Sequence, residues 1–142
     1  YGCRPSETLS LIPNKNATAS CFTLKRKKGL PTKRSALAIP KEFVEKLDLY
    51  NISRELEFKK PEDFDPVAAK RFTEAWGKWL QRQKPDLQLY SLRHGWATRS
   101  IQAGVPTALA AKCLGHSVKV FEETYLSTLD EKDIATFAAT LL

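Results

Sequence analysis

Residues 90–125 have the sequence YSLRHGWATRSIQAGVPTALAAKCLGHSVKVFEETY, and this stretch decides the fold because clear stops divide it into helices. The first helix is predicted to run from about Ser91 to Gln102 and to end at Gly104, since glycine commonly follows a helix C-terminus. A short second helix ends at Leu114-Gly115, and a third spans about Val118 to Tyr125. The stretch therefore predicts three consecutive helices.

The residues near the start of the chain predict a small sheet. Ala19 to Leu24 and Ser35 to Ile39 are β-compatible segments on either side of a turn at Gly29-Leu30-Pro31, which is the pattern of two antiparallel strands. A short helix over Pro5 to Leu11 precedes them, with proline in its first turn. The hairpin is basic, and its charged residues are Lys25, Arg26, Lys27, Lys28, Lys33 and Arg34.

Two helical patterns fill the middle of the chain, separated by a polar loop over Asn51 to Asp63. Asp65-Pro66 marks the start of the second, because it combines an N-cap residue with proline at the first helical position. Trp76 and Trp79 in that helix have the spacing of an inward face, so core packing is predicted for both. The apolar stripes are Phe43, Val44 and Leu47, and then Ala68, Phe72, Ala75, Trp76, Trp79 and Leu80.

These patterns predict a mainly α protein with a small antiparallel β-sheet (α+β). A length of 142 residues with 42% hydrophobic content suits one compact domain over residues 1–142. The 23 Lys and Arg residues exceed the 16 Asp and Glu residues, which gives a net charge of +7. A surface of this kind attracts polyanions, so nucleic acid is the first partner to consider.

Other classes of protein are disfavoured. The sequence contains no run of 18 apolar residues, so it predicts no membrane-spanning helix. Cys3, Cys21 and Cys113 are odd in number and form no CxxC pair, which indicates neither a disulfide framework nor a metal site and favours a reducing compartment. The chain has no Met and opens within a motif, so we expect it to be a fragment of a longer polypeptide.

Three local motifs carry the chemistry. The first is Gly2-Cys3-Arg4-Pro5-Ser6-Glu7, the second is Tyr90-Ser91-Leu92-Arg93-His94-Gly95-Trp96-Ala97-Thr98, and the third is Leu114-Gly115-His116-Ser117. Tyr125 follows His116 by nine residues. Their separations are too irregular for one helical face, so the fold must bring them together.

In this order the motifs resemble the signature of the tyrosine recombinases, the phage-integrase family: G-x-R-x-S-E, H-x-L-R-H-x-x-A-T, and L-G-H with a nucleophilic tyrosine nine residues later. The resemblance extends from Arg4 to Tyr125, with the basic hairpin between the first two motifs. It implies the catalytic core of a site-specific DNA recombinase or integrase. Such an enzyme cleaves and rejoins double-stranded DNA through a 3′-phosphotyrosyl intermediate, without a cofactor or metal.

The resemblance also implies partners and location. It implies a homotetramer on paired DNA sites, cytoplasmic and associated with bacterial or phage DNA, with no membrane or small-molecule substrate. An N-terminal DNA-binding domain and the first catalytic helices would lie outside this sequence. Residues Asp130 to Leu142 are expected to dock in trans on a neighbouring protomer through an apolar stripe. The stripe is formed by Ile134, Phe137, Ala138 and Leu141.

The chemistry explains why such residues belong together. Phosphoryl transfer to a tyrosine places extra negative charge on the non-bridging oxygens, and planar guanidinium groups such as Arg4 and Arg93 are suited to bind them. Tyr125 is the predicted nucleophile, and it needs its proton drawn off because a phenol has a pKa of about 10. His116 is predicted to take that proton or to donate a hydrogen bond to the phosphate. Glu7 is expected to orient Arg4.

Three further positions follow from the resemblance. The family assigns the general acid to a hairpin lysine; Lys28 is the choice here, with Lys25 and Lys27 left open. Tyr90 stands where the family usually has His or Lys, so it is predicted to contact the phosphate without contributing positive charge. His94 is expected to be a packing residue. All of the predicted catalytic residues are Arg4, Lys28, Tyr90, Arg93, His116 and Tyr125.

Two other functions are compatible with the same motifs. A type IB topoisomerase uses the same chemistry to relax DNA, although the Leu-Gly-His motif fits recombinases better. The second alternative is a catalytically silent DNA-binding module, in which the presence of Tyr90 reflects the loss of the active site.

Overall fold

The computed structural model of the chain describes residues 1–14, 16–24, 29–51 and 59–140. The helices are α1 (Phe43–Lys46), α2 (Pro66–Gln83), α3 (Leu89–Gln102), α4 (Thr107–Leu114), α5 (Val118–Tyr125) and α6 (Glu131–Thr140). Short 3-10 helices cover Pro5–Ser10, Leu49–Asn51, Pro61–Asp63 and Leu126–Thr128. The predicted class, mainly helical with a small antiparallel sheet, is confirmed.

The sheet has three antiparallel strands in the order β1 (Ile12–Pro13), β2 (Thr18–Thr23) and β3 (Thr32–Leu37). β2 and β3 are the two strands predicted from the sequence, and Ser20 lies opposite Ser35 in their register. β1 was not predicted, because it has two residues and one is a proline. Proline cannot donate to a strand ladder, so it is confined to edge positions such as this one.

Local capping chemistry sets the helix ends that position the site. Asp65 caps α2, where its carboxylate accepts hydrogen bonds from the backbone N–H groups of Val67 at 2.8 Å and Ala68 at 3.1 Å. Gly115 ends α4 in the left-handed conformation with φ 69°, as the sequence predicts for a glycine after a helix. The Ser117 hydroxyl then accepts from the N–H of Val120 and begins α5.

The main core lies between α3, α4 and α5. Trp96, Leu114 and Phe121 are fully buried there. The indole Nε1 of Trp96 donates to the carbonyl of Leu37 at 2.8 Å, which fixes α3 against the last residue of β3. The core thus holds the second and third motifs against the sheet.

Core packing of Trp76 and Trp79 was wrongly predicted. Their exposed fractions are 42% and 55%, and Ala69 is the one residue of α2 that is buried. α2 packs on Leu9 and Phe22 through the face that carries Ala69, and Phe72 is partly buried in the same contact. Helical spacing shows which residues share a face, but not how much of that face another element covers.

The stripe assigned to α1 is also only partly correct. Val44 is buried, whereas Phe43 and Leu47 are largely exposed. The helix has four residues, little more than one turn, so it presents a single residue to the core. Within the described residues, no helix is both long and apolar enough to cross a membrane.

Replacing Gly2 with alanine is expected to destabilise the protein by roughly 2–4 kcal/mol. Gly2 has φ +68°, and a Cβ there would lie 2.7 Å from Cδ2 of Trp96, whose buried ring has no space to move away. Urea unfolding of the purified protein measures the change. Gly77→Ala is the matched control, because its Cβ would meet only a side-chain methyl of Leu89 at 3.9 Å. Equal unfolding midpoints for the two variants would contradict the expected strain at Gly2.

Candidate active site

Arg4 stands at the start of the first 3-10 turn and is held by Glu7, three residues later. Its Nη1 donates to Glu7 Oε1 at 2.9 Å, and its backbone N–H donates to Oε2 at 3.0 Å. The Glu7 side chain is fully buried, whereas the side chain of Arg4 keeps 16% of its surface exposed. Glu7 thus orients the guanidinium of Arg4, and part of the Arg4 side chain remains exposed to solvent, as expected for a residue that binds an anion.

Arg93 on α3 joins the three motifs. Its Nη1 donates to the carbonyl of Gly2 at 2.7 Å, and its Nη2 donates to the carbonyl of Leu114 at 2.6 Å. The same Nη2 lies 3.0 Å from Nε2 of His116. Only 1% of Arg93 is exposed. The structure therefore brings Arg93 into contact with His116, one of the residues that the sequence predicted it to meet.

His116 is neutral in the free protein at pH 7. A guanidinium has donors only, so Nε2 of His116 must accept from Arg93, and the ring proton lies on Nδ1. Burial lowers the pKa of His116 to about 4, with further contributions from Arg93, Arg4 and Arg34. Nδ1 is buried and has no hydrogen-bond partner among the described residues. The imidazole is thus neutral, and its one lone pair, on Nε2, accepts the hydrogen bond from Arg93.

Tyr125, the last residue of α5, packs against this imidazole. The two rings are nearly parallel, with an interplanar angle of 14° and centroids 6.2 Å apart. The ring centroid of Phe121 lies 5.0 Å from that of Tyr125, and 4% of Tyr125 is exposed. Burial raises the pKa of the phenol, although the charge of Arg93 and a hydrogen bond with it act in the opposite direction. The phenol is therefore protonated and enclosed in this state.

Tyr90 and His94 lie on the first turns of α3, at the outer edge of the group. Their rings meet edge to face at 5.2 Å, and His94 also lies 5.5 Å from the ring of Tyr125. Tyr90 is 41% exposed and lines a cavity of about 430 Å³ together with Arg4. Gln81 and Gln88 line the same cavity. Tyr90 is thus close to the exposed side of Arg4, where an anion would enter.

The predicted general acid, Lys28, lies outside the described residues, as do Lys25 and Lys27. The strands that flank them are described: β2 ends at Thr23 and β3 begins at Thr32. Among the described residues, no group of three or more His, Cys, Asp or Glu side chains could hold a metal ion.

Sequence reasoning missed the position of Arg34, which it treated as one of several hairpin charges. Its Nη2 donates to Glu7 Oε2 at 2.6 Å, and its Nη1 donates to the carbonyl of Cys113. The signal that could have found it is strand alternation. Arg34 and the buried Ala36 are two residues apart on β3, so their side chains point to the same face.

The pKa of His116 makes stability depend on pH. The folded protein resists a protonation that the unfolded chain accepts at about pH 6.5, so the free energy of unfolding falls as the pH drops from about 6.5 towards 4. We expect a loss of at most about 3 kcal/mol over this range. Urea unfolding at a series of pH values measures it, and His116→Gln should give a flatter profile. A wild-type profile no steeper than that of the variant would contradict this origin.

Comparison with known proteins identifies the fold. No protein-family model matches the chain. The crystal structure of XerA recombinase matches with a TM-score of 0.52 and 20% identity, over 98% of this chain and 53% of that one. The chain therefore shares the fold of the matched part of this recombinase. XerH site-specific recombinase, solved in a post-cleavage complex with palindromic difH substrate, matches with a TM-score of 0.47 and 19% identity, over 97% of this chain and 42% of that one.

A curated protein is similar in sequence. The chain is 32% identical over 98 residues to Excisase A from Nostoc sp. (strain PCC 7120 / SAG 25.82 / UTEX 2576). The match covers 65% of this chain and 20% of the relative, so the chain spans about a fifth of the relative's length.

Proposed function

We propose that residues 1–142 form the catalytic domain of a site-specific DNA recombinase that cleaves double-stranded DNA through Tyr125. One observation carries the proposal: the guanidinium of Arg93 contacts Gly2, Leu114 and His116 at once, and Tyr125 stacks on His116. The similarity to Excisase A supports the same function.

The exposed side of Arg4 is the entry point for the scissile phosphate in this proposal. Arg4 binds a non-bridging oxygen, and Tyr90 on the wall of the same cavity donates a hydrogen bond from its hydroxyl to the phosphate. Arg93 and Tyr125 are closed off in the free protein, so binding of DNA must open the packing around them. In this proposal the free protein holds the catalytic residues in an inactive arrangement.

The proposed reaction is a direct exchange of one phosphorus–oxygen bond for another. The Oη atom of Tyr125 attacks the phosphorus, the bond to the 5′ oxygen breaks, and a 3′-phosphotyrosyl bond forms. His116 accepts the phenol proton on Nε2 after the opening of the packing separates this atom from Arg93. The phosphate charge favours this step, because it opposes the nearby arginines and raises the pKa of the imidazole. Lys28 protonates the departing 5′ oxygen, with Lys25 and Lys27 as alternatives. A partner strand's 5′ hydroxyl then reverses the step and completes strand exchange.

Assembly is proposed to involve the C-terminal segment. Ile134 on α6 is 69% exposed, and a cavity of about 370 Å³ lies between α6 and the turn that joins α3 to α4. Ile101 and Val105 contribute apolar surface to that cavity. We propose that α6 docks in trans between protomers of a homotetramer on two DNA sites.

A nicked suicide substrate tests the proposal, because loss of a short fragment traps the covalent intermediate. The full-length protein is expected to give a covalent protein–DNA product, and mass spectrometry of its peptides should locate the nucleotide on Tyr125. DNA binding without any covalent product would support the silent DNA-binding module instead. Exchange between two sites, without relaxation of a plasmid that lacks them, separates a recombinase from a type IB topoisomerase.

A further inference from the structure

We propose that Arg34 is a positioning residue that leaves Arg4 with a full positive charge for the phosphate and anchors the segment carrying His116. This inference rests on the proposed function and extends it to a residue outside the three motifs.

Arg34 reaches both of the segments that it would position. It extends from β3 with 7% of its side chain exposed, and its Nη2 donates to Oε2 of Glu7 at 2.6 Å. Its Nη1 donates to the carbonyl of Cys113 in the last turn of α4. A Cβ on Gly115 would lie 3.1 Å from its Nε, so the backbone before His116 packs directly against this guanidinium. One side chain thus connects the first motif to the third.

The charges explain why a second arginine is needed beside Glu7. Glu7 is fully buried and bound to Arg4, so alone it would neutralise the group meant to attract the phosphate. Burial acts to raise the pKa of Glu7, but the charge of Arg34 and the contacts with Arg4 outweigh it, and the net pKa is lowered. The carboxylate is therefore ionised and shared between two guanidinium groups. With Arg34 present, Arg4, Arg34 and Glu7 together keep one net positive charge.

The charge on Arg93 brings this constellation to two net positive charges, because His116 is neutral. A phosphodiester carries one negative charge and develops more on its non-bridging oxygens during transfer. Fixed charges that match the developing charge stabilise the transition state more than the ground state. Loss of Arg34 should therefore slow bond cleavage more than it weakens DNA binding.

The test compares Arg34→Gln, which removes the charge, with Arg34→Lys, which keeps the charge but lacks the planar fork of donors that binds Glu7 and the Cys113 carbonyl. Single-turnover cleavage of the suicide substrate is measured at saturating full-length protein. We expect Arg34→Gln to slow cleavage by about 10–100-fold, a typical effect of removing a group that orients a reacting residue. Arg34→Lys should recover part of that rate. Lys33→Gln is the matched control, because it removes the same charge from the adjacent, exposed position of β3.

A methylphosphonate at the scissile position supplies a readout that a purely structural role would not move. It replaces one anionic oxygen with a methyl group, so less negative charge develops in the transition state and the positive charge that Arg34 contributes matters less. Arg34→Gln should lose most of its defect on this substrate. An equal defect on both substrates, or no defect on the phosphodiester, would overturn the assignment.

Titration of His116 by NMR in the free protein tests the same inference without catalysis. Arg34 is one of the cations that lower the pKa of His116, so Arg34→Gln should raise this pKa, whereas Lys33→Gln should not. An unchanged pKa in Arg34→Gln would overturn the inference. The two proposals can fail separately. If the wild-type protein forms no covalent product but Arg34→Gln still raises the pKa of His116, the recombinase proposal is refuted and the role of Arg34 in the cluster is supported.

Discussion

Tyr125→Phe is expected to eliminate covalent attachment to DNA while the protein remains folded. The variant lacks the hydroxyl that forms the phosphotyrosyl bond, so covalent product should fall to the level of a protein-free control. The ring still packs against His116 and Phe121, and the free energy of unfolding should change by no more than about 1.5 kcal/mol. Gel separation of the trapped suicide substrate and urea unfolding measure the two quantities.

Tyr90→Phe is the matched control, because it removes a phenol hydroxyl from the same site. It should still form the covalent product, at a reduced rate, since Tyr90 is proposed only to contact the phosphate. The opposite pattern, with covalent product in Tyr125→Phe and none in Tyr90→Phe, would show that Tyr90 is the nucleophile and that the proposed arrangement is incorrect.

Arg93→Gln is expected to reduce both the rate and the stability. Removal of a preorganised donor to the developing charge should slow cleavage by about 10²–10³-fold. The variant also leaves the buried carbonyls of Gly2 and Leu114 without their donor, which should lower the free energy of unfolding by roughly 1–3 kcal/mol for each. Single-turnover cleavage, measured well below the unfolding temperature of the variant, separates the two effects.

Arg99→Gln supplies the comparison for Arg93. Arg99 lies on the same helix and donates from Nε to the carbonyl of Ile39 at 3.1 Å, away from the phosphate. We expect Arg99→Gln to lower stability but to keep the cleavage rate within a few-fold of wild type. If both variants lost the same rate for the same loss of stability, the role of Arg93 would be structural rather than catalytic.

The sequence was sufficient to predict the helices that carry the site. α5 spans the predicted Val118 to Tyr125, and α4 ends at the predicted Gly115, because serine and glycine caps are local signals that act within one turn. The meeting of Arg93 with His116 followed from the order of the motifs. The three motifs are spread along the chain, so the pattern of any one helix could not have predicted this contact.

What could not be predicted depends on contacts between distant segments. The exposure of Trp79 depends on which elements cover α2, and the helical period of α2 contains no information on its neighbours. The role of Arg34 was hidden for a related reason. Its partners, Glu7 and the carbonyl of Cys113, are 27 and 79 positions away along the chain. The lowered pKa of His116 likewise arises from burial, and then from three arginines, which surround the imidazole only after folding.

Arg93 is anchored largely by main-chain carbonyls, those of Gly2 and Leu114. Every amino acid supplies such a carbonyl, so the anchorage depends on the path of the backbone and hardly at all on the identity of neighbouring side chains. Mutations can therefore accumulate around this arginine without detaching it, provided that the chain still turns where it does now. A centre built in this way can persist in proteins whose sequences have diverged almost beyond recognition.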